Sequence, residues 1–276
     1  MKIYLLNDTS MQHAGCKATM DALNDALVDH EVIYRQPVGM YKINEKALAE
    51  CRWIVVNGEG TMHHDSGGQR FLMKALEEGQ RVGKKTMLIN SVWEKNKNTY
   101  DNVFKKIKFV SFREKISQMA SPERVGVVYP DLAFNNEYVY DAKNSIQKIW
   151  KGNIFGGLAW SDIMDKYEYR QVVLNGTFQE LINKMSSCKL YITGQYHGVI
   201  LAIMSGTPFV PISANTHKIE GLLQTARCPV KVCRSAQEVN EGIEYALHNP
   251  QVFEALREYY MKAPKLDKDV LNGVIC

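Results

Sequence analysis

Short apolar runs alternate with longer amphipathic segments along the whole chain. Residues 53–56 form a continuous apolar run, whereas residues 69–81 carry apolar side chains every three or four positions. The first pattern predicts a buried strand and the second predicts a helix that packs on one face. The same reading predicts strands at 3–6, 32–34, 53–56, 85–89, 109–112, 125–129, 154–159, 190–193, 209–212 and 230–233. It predicts helices at 14–28, 45–51, 69–81, 197–204, 217–226, 236–246 and 252–261.

This alternation predicts an α/β fold. Strands that are apolar throughout and alternate with helices are typical of a parallel sheet covered on both faces. The polar stretch 135–151 interrupts the pattern, which then starts again. We therefore expect two Rossmann-like domains, at 1–140 and 141–276, that face each other across a cleft. In such sheets ligands bind at the carboxyl ends of the strands.

Composition narrows the function classes. The 276 residues carry a net charge of +4, which suits a small anionic ligand but is too weak to indicate nucleic acid. Apolar runs fall short of the about 18 residues that a membrane span needs, and the N-terminus lacks a signal-peptide pattern. Six cysteines without a CxxC pair indicate reduced thiols and a cytoplasmic protein. Three lysines near the C-terminus either are solvated or touch the inner face of a membrane, namely Lys262, Lys265 and Lys268.

The most conspicuous polar segment spans residues 57–68, between a predicted strand and a predicted helix. Glycines there allow close approach of a ligand, and free amides at a helix start attract anions. An alternative is a solvent-exposed turn. Zinc binding is disfavoured because two adjacent histidines lack helical i, i+4 spacing and no cysteine is near. The candidate residues of this segment are Gly58, Gly60, Thr61, His63, His64 and Asp65.

A second segment places His197 close to the start of a predicted helix that follows a strand. The positive end of a helix dipole disfavours a further positive charge, so we expect a neutral imidazole that can act as general acid or base. Lys218, in the first turn of a later helix, is unfavourable for the dipole unless it faces a bound anion, and Asn215 precedes that helix. Packed or solvated side chains are the alternatives for both.

Further candidates follow other predicted strands. Arg113 offers a guanidinium for a carboxylate or phosphate, with a structural Arg–Glu pair at the surface as the alternative. Asp131 either orients a histidine or begins a turn. The polar loop after the first strand contributes Asn7 and His13 as acceptor-binding candidates. Cys16 is disfavoured as a nucleophile because the sequence places no base beside it.

In this order, the segments resemble the polysaccharide pyruvyl transferase family. The resemblance rests on the glycine-rich turn, an Arg-Glu-x-x-Ser element, a Pro-Asp element and a strand-to-helix turn with histidine. These four elements occupy residues 57–65, 111–117, 130–134 and 194–202. Residues 206–213 and 217–223 add two further matching segments. The resemblance implies a GT-B-like fold and transfer of the enolpyruvyl unit of phosphoenolpyruvate to a sugar diol. It matches His197, Arg113 and one of His63 and His64 to the family's functional residues.

One position departs from the family pattern. The family usually has arginine two residues before the histidine, where this chain has Gln195. Glutamine can hydrogen-bond an oxyanion but brings no charge. An inverting glycosyltransferase that uses a nucleotide-activated sugar, or a non-catalytic sugar- or anion-binding protein, therefore remains an alternative. In the main interpretation phosphoenolpyruvate is the donor substrate, a sugar or lipid-linked oligosaccharide is the acceptor, and no cofactor, metal or nucleic acid is expected.

Overall fold

The computed structural model describes residues 1–138, 149–153, 169–171 and 174–276, with only the backbone at 169–171. Contacts divide the chain into two compact units. The first comprises Met1–Gln12, Lys17–Asn135 and Pro264–Cys276, and the second comprises His13–Cys16 and Asn136–Ala263. The C-terminal segment therefore groups with the first unit, although the sequence assigned it to the second domain. The expected boundary at residue 140 lies outside the described residues.

The described strands and helices alternate. The strands are β1 (Lys2–Asp8), β2 (Glu31–Pro37), β3 (Trp53–Glu59), β4 (Lys85–Ser91), β5 (Phe109–Phe112), β6 (Val127–Val128), β7 (Ile149–Lys151), β8 (Tyr169–Gln171), β9 (Leu190–Thr193) and β10 (Phe209–Pro211). The helices are α1 (Ala14–Ala26), α2 (Glu45–Glu50), α3 (Gly67–Arg81), α4 (Asp101–Phe104), α5 (Lys115–Ala120), α6 (Phe178–Ser186), α7 (Tyr196–Met204), α8 (Lys218–Thr225), α9 (Ala236–His248), α10 (Pro250–Lys262) and α11 (Lys268–Ile275). None of these described helices is long and apolar enough to cross a lipid bilayer.

The first unit contains a six-stranded sheet in the order β2-β1-β3-β4-β5-β6, and each neighbouring pair runs parallel. Alternate residues of its strands enter two separate cores. Tyr4 and Leu6 join a core with residues of α3, whereas Ile3 and Leu5 join a core with residues of α1 and α11. Because side chains alternate between the faces of a strand, a strand that is apolar at every position requires cover on both faces.

The second unit contains a four-stranded parallel sheet in the order β10-β9-β7-β8. Helix α7 follows β9 after only two residues and is buried at every position. Its neighbour α6 begins with a capping box, in which the Thr177 side chain accepts the Glu180 amide and the Glu180 side chain accepts the Thr177 amide. The two units together confirm the predicted α/β class with parallel sheets.

Most predicted elements are present, with ends that shift by at most three residues. The strand predicted at 230–233 is wrong, because Cys233 meets β10 only in an isolated bridge at Ile212. The linker predicted at 135–151 extends too far, because its last residues form β7, which pairs with β8 and β9. The strand predicted at 154–159 lies outside the described residues. The sequence analysis missed the helices α4, α5, α6 and α11 and the strands β7 and β8.

Candidate active site

At the carboxyl edge of the first sheet, polar side chains bond to one another across neighbouring strands. Asn7, the next-to-last residue of β1, donates to the Asn57 carbonyl at 2.7 Å and to the Thr61 hydroxyl at 3.2 Å. Thr9 donates to a Glu59 carboxylate oxygen at 2.5 Å, and the Asn57 amide reaches the same oxygen at 3.3 Å. The structure therefore brings two predicted residues, Asn7 and Thr61, into one hydrogen-bonded network.

Three adjacent strands end in backbone conformations that L-residues rarely adopt. The φ angles are 66° at Asn7 on β1, 36° at Glu59 on β3 and 52° at Asn90 on β4. Left-handed backbone at a non-glycine residue costs about 1–2 kcal/mol and persists where the surrounding structure requires it. Glu59 is also 5% exposed. A buried carboxylate on strained backbone at a strand's carboxyl end is a candidate functional group.

The sequence analysis missed Glu59, although its signal was visible. An acidic residue lies between Gly58 and Gly60 directly after an apolar strand. Gly58 itself serves packing, because a Cβ there would lie 2.4 Å from the Ser91 hydroxyl oxygen on β4. Its predicted contact with a ligand remains a prediction, as does that of Gly60, which follows the last residue of β3.

The paired histidines lie in the turn that leads into α3. His63 Nδ1 and His64 Nδ1 are 3.0 Å apart, and His63 is half-buried whereas His64 is exposed. Asp65 accepts the Lys97 amide at 2.9 Å, and its own amide donates to Asn96 at 3.1 Å. The Asp65 carboxylate therefore anchors the loop that follows β4, and its predicted role toward an acceptor remains a prediction.

Arg113 is buried in an ion pair. Its Nη1 atom lies 2.9 Å from Asp131 Oδ2, and the two side chains are 1% and 0% exposed. Asp131 also accepts the Thr19 hydroxyl at 3.1 Å. This pair is buried and its acid is an aspartate, so it differs from the Arg–Glu pair at the surface that the sequence analysis gave as the alternative. Binding of a donor by Arg113 stays a prediction that has to account for this buried pair.

In the second unit, His197 is the second residue of α7 and is 4% exposed. Its ring lies edge-on against the His13 ring, with centroids 5.1 Å apart. Cys16 Sγ lies 3.4 Å from His13 Nε2. The structure thus places an imidazole beside Cys16, which the sequence spacing did not indicate, and it unites two predicted residues, His13 and His197.

A glycine makes this arrangement possible. A Cβ atom on Gly15 would lie 2.4 Å from both Cβ and Cγ of His197, closer than such atoms approach in proteins. Only glycine allows the first turn of α1 to meet the imidazole this closely. The sequence reading of Gly15 as part of a polar loop gave no reason to single it out.

The remaining predicted residues of the second unit flank the starts of two helices. Gln195 is at the N-cap position of α7, is half-buried, and makes no side-chain cap to the helix. Lys218 begins α8 and donates to Asn215 Oδ1 at 2.7 Å. The cation expected to face an anion therefore holds a neutral amide oxygen, and both predicted residues lie together.

The same unit has a cavity of about 730 Å³ that none of the predicted residues lines. It lies beside β10, and its polar lining includes Glu220 and Arg234, which form an ion pair of 2.5 Å. Cavity size alone would place a ligand there. The histidine-containing cluster is chemically better equipped, because it combines imidazoles with a thiol at short range.

Comparisons with known proteins agree with the fold and the ordered motifs. Solved structures similar to this chain include an uncharacterized protein, KP1_0663, from Klebsiella pneumoniae, with 18% identity and a TM-score of 0.50 over 84% of this chain and 91% of that one. Anabaena Alr3699/HepE in complex with UDP and glucose has 11% identity and a TM-score of 0.59 over 100% of this chain and 98% of that one.

A third similar structure is the UDP-GlcNAc 2-epimerase from Neisseria meningitidis, with 10% identity and a TM-score of 0.59 over 100% of both chains. These likenesses show a GT-B-type fold. No curated protein sequence matches the chain. The family model for polysaccharide pyruvyl transferase matches residues 14–216, nearly three quarters of the chain. The chain therefore belongs to the polysaccharide pyruvyl transferase family.

Proposed function

We propose that this protein transfers the enolpyruvyl group of phosphoenolpyruvate to two hydroxyls of a sugar and forms a pyruvate ketal. The observation that carries the proposal is His197, which lies within the family match and is held at the start of α7. A buried imidazole at that position suits proton transfer at a reacting centre. A saccharide of cell-surface polysaccharide biosynthesis, free or lipid-linked, is the proposed acceptor, and we place the reaction in the cytoplasm.

The chemistry needs an acid and a base. Protonation of the methylene carbon of phosphoenolpyruvate generates a cationic centre at C2, and the first sugar hydroxyl adds there as it loses its proton. Phosphate then leaves with the electron pair of its C–O bond. The second hydroxyl adds to the resulting oxocarbenium ion and releases its proton, so the products are the ketal and inorganic phosphate.

We assign these proton transfers to His197 and to one of His63 and His64. Gln195, Lys218 and Asn215 are proposed to hold the phosphate and carboxylate of the donor, together with Arg113 and the turn at Gly58, Gly60 and Thr61. Asn7, His13, Asp65 and Asp131 are proposed for the acceptor. The buried Glu59 is added as a base for a sugar hydroxyl, because it lies in the network that holds Asn7.

A glycosyltransferase reaction is the second candidate, and Gln195 is the observation that favours it. Replacing a charged donor by a neutral amide loses roughly 1.5–3 kcal/mol of interaction with a carboxylate or phosphate. In a nucleotide-sugar donor the negative charge lies on the diphosphate, and not at the positions of the carboxylate and phosphate of phosphoenolpyruvate. The solved structures with UDP or UDP-GlcNAc have this type of ligand, although they share only the fold.

Thermal unfolding separates the two candidates before an acceptor is known. We expect phosphoenolpyruvate to raise the melting temperature and UDP, CMP or GDP to leave it unchanged. The opposite result contradicts pyruvyl transfer and supports a nucleotide-sugar donor. A panel of sugar diols then tests turnover through phosphate release and the ketal methyl signal in NMR spectra.

Substitutions test the proposed roles. His197→Ala should lower kcat/KM by about 100-fold or more, because an acid–base group contributes that much. His248→Ala is the matched control, since His248 is an exposed histidine at the end of α9. It should leave kcat/KM unchanged. Full activity in His197→Ala would overturn the assignment.

A further inference from the structure

The strongest unassigned feature of the described residues is a group of three metal-ligating side chains within the second unit. Ligand atoms of His13, Cys16 and His197 all lie within 4.8 Å of one another. We infer that this cluster binds a divalent transition-metal ion of the zinc type. The cluster shares His13 and His197 with the proposed function, but the inference depends on ligand geometry alone and is tested without donor or acceptor.

The spacing agrees with tetrahedral coordination. Zinc binds thiolate sulfur at about 2.3 Å and imidazole nitrogen at about 2.0 Å, so these two ligands are about 3.5 Å apart on a tetrahedron. The observed distance between Cys16 Sγ and His13 Nε2 is 3.4 Å. The ligand atom of His197 lies within 4.8 Å of the other two, and this separation has to shorten for all three to ligate one ion.

The three ligand side chains lie close together before an ion binds. His13 directly precedes α1 and Cys16 is its third residue, so both lie in its first turn. Gly15 between them lets His197 approach, since a Cβ at Gly15 would lie 2.4 Å from the imidazole. Cys16 and His197 are 2% and 4% exposed, and the half-buried His13 provides the side from which an ion enters.

The chemistry of the donors selects the metal. Imidazole and thiolate are preferred by zinc, cobalt and copper, whereas magnesium and calcium prefer oxygen ligands. Ligation by His13 Nε2 places the ring proton on Nδ1, so the contact of 3.3 Å from the Cys16 amide to Nδ1 is given up. This contact is long, and metal–ligand bonds replace it. Three protein ligands leave a fourth position for solvent or an anion.

Binding of the ion also affects the proposed catalysis. An imidazole nitrogen that ligates a metal cannot carry or accept a proton at that atom. The metal-bound protein should therefore be inactive where the nitrogen of His197 that ligates the ion is also the nitrogen that transfers the proton. The two proposals can be refuted separately, because metal binding is measured by spectroscopy in the absence of donor and acceptor.

Titration of the full-length, metal-free protein with Co²⁺ tests the site. We expect one equivalent to produce the intense near-ultraviolet band of a thiolate–cobalt bond and the visible bands of tetrahedral cobalt. Zn²⁺ should then abolish both by displacement. Cys16→Ser should eliminate the thiolate band, and His13→Ala should weaken Co²⁺ binding at least tenfold, with the apo-proteins checked for native melting temperatures.

The exposed Cys276 is the matched control, because an accessible thiol is the obvious alternative cobalt ligand. Cys276→Ser should retain the full signal. The inference is overturned if stoichiometric Co²⁺ gives no thiolate band. It is equally overturned if the band survives in Cys16→Ser or disappears in Cys276→Ser. Should Cys16→Ser fail to fold, the His13→Ala titration decides, and unchanged affinity there contradicts the site.

Discussion

In the first unit the candidate residues lie at the ends of strands whose last or next-to-last residue has a left-handed backbone angle. In the second unit the candidate histidine lies in a helix that is buried at every position. The first arrangement depends on side chains that hydrogen-bond the backbone of neighbouring strands, as Asn7 does. The second depends on a close contact between Gly15 and His197. A hydrogen-bonded network is destabilised when one partner is removed, whereas a tightly packed contact is destabilised when an atom is added.

The largest expected effect concerns the buried pair of Arg113 and Asp131. Asp131→Ala removes the carboxylate that pairs with the buried guanidinium and should lower the free energy of unfolding by about 3–5 kcal/mol. Chemical denaturation measures this. The double variant Arg113→Met/Asp131→Leu should recover much of the loss, because apolar residues of similar volume replace buried pairs well.

The double variant also shows whether this pair belongs to the site. A stable but inactive double variant would indicate that Arg113 contacts the donor, as the sequence resemblance implies. A stable and active one would leave the pair with a purely structural role. A double variant less stable than Asp131→Ala would contradict the reading of the pair as replaceable.

The next effect tests packing in the second unit. Gly15→Ala adds a Cβ at 2.4 Å from His197 and should lower the free energy of unfolding by about 1–3 kcal/mol. It should also reduce the proposed pyruvyl transfer, since the imidazole has to move. Gly67→Ala is the control, because a Cβ there meets no atom within 4 Å. An equal response of both variants would remove the packing argument.

A smaller effect tests backbone strain in the first unit. Lys95 has a φ of 48° and an exposed side chain, with a 3.7 Å contact to Glu94. Lys95→Gly should raise the free energy of unfolding by about 0.5 kcal/mol, because relief of strain slightly exceeds the entropic cost of glycine. Thermal denaturation with Lys97→Gly as comparison measures it, and destabilisation would contradict the strain.

The smallest expected effect is an absence of thiol reactivity. Burial raises the pKa of Cys188 and of Cys233 to about 12. Only the thiolate is nucleophilic, so these thiols should stay unlabelled by iodoacetamide at pH 8, and labelling should rise only as the pH approaches 12. Mass spectrometry of the native protein should find label at the exposed Cys276 first. Rapid labelling of Cys188 would contradict its burial.

The sequence predicted elements better than contacts. The apolar runs identified β3, β5 and β9 because most positions of a strand buried on both faces are apolar. Helix α11 was missed although Asp267 caps it, since its eight residues are short for a periodic signal. The segment at 230–233 is apolar enough for a strand, but its backbone meets β10 at one bridge only.

The candidate site was predicted as residues, not as an arrangement. His13 and His197 were both singled out, but their ring contact joins positions 184 residues apart in the chain. Arg113 was expected to face an anion, and the structure pairs it with Asp131 because a guanidinium at 1% exposure requires a countercharge. Glu59 was overlooked although it lies between Gly58 and Gly60 in the sequence, because its burial and its positive φ become visible only in the structure.

By itself the sequence determined the α/β class, the parallel sheets and the motifs of the family, because hydrophobic period and ordered short motifs are local properties. The tertiary structure decided which polar groups meet. It placed His13, Cys16 and His197 together, since the absence of a side chain at Gly15 lets two distant segments touch. Such a contact has no local signal, because it depends on space that only the folded chain defines.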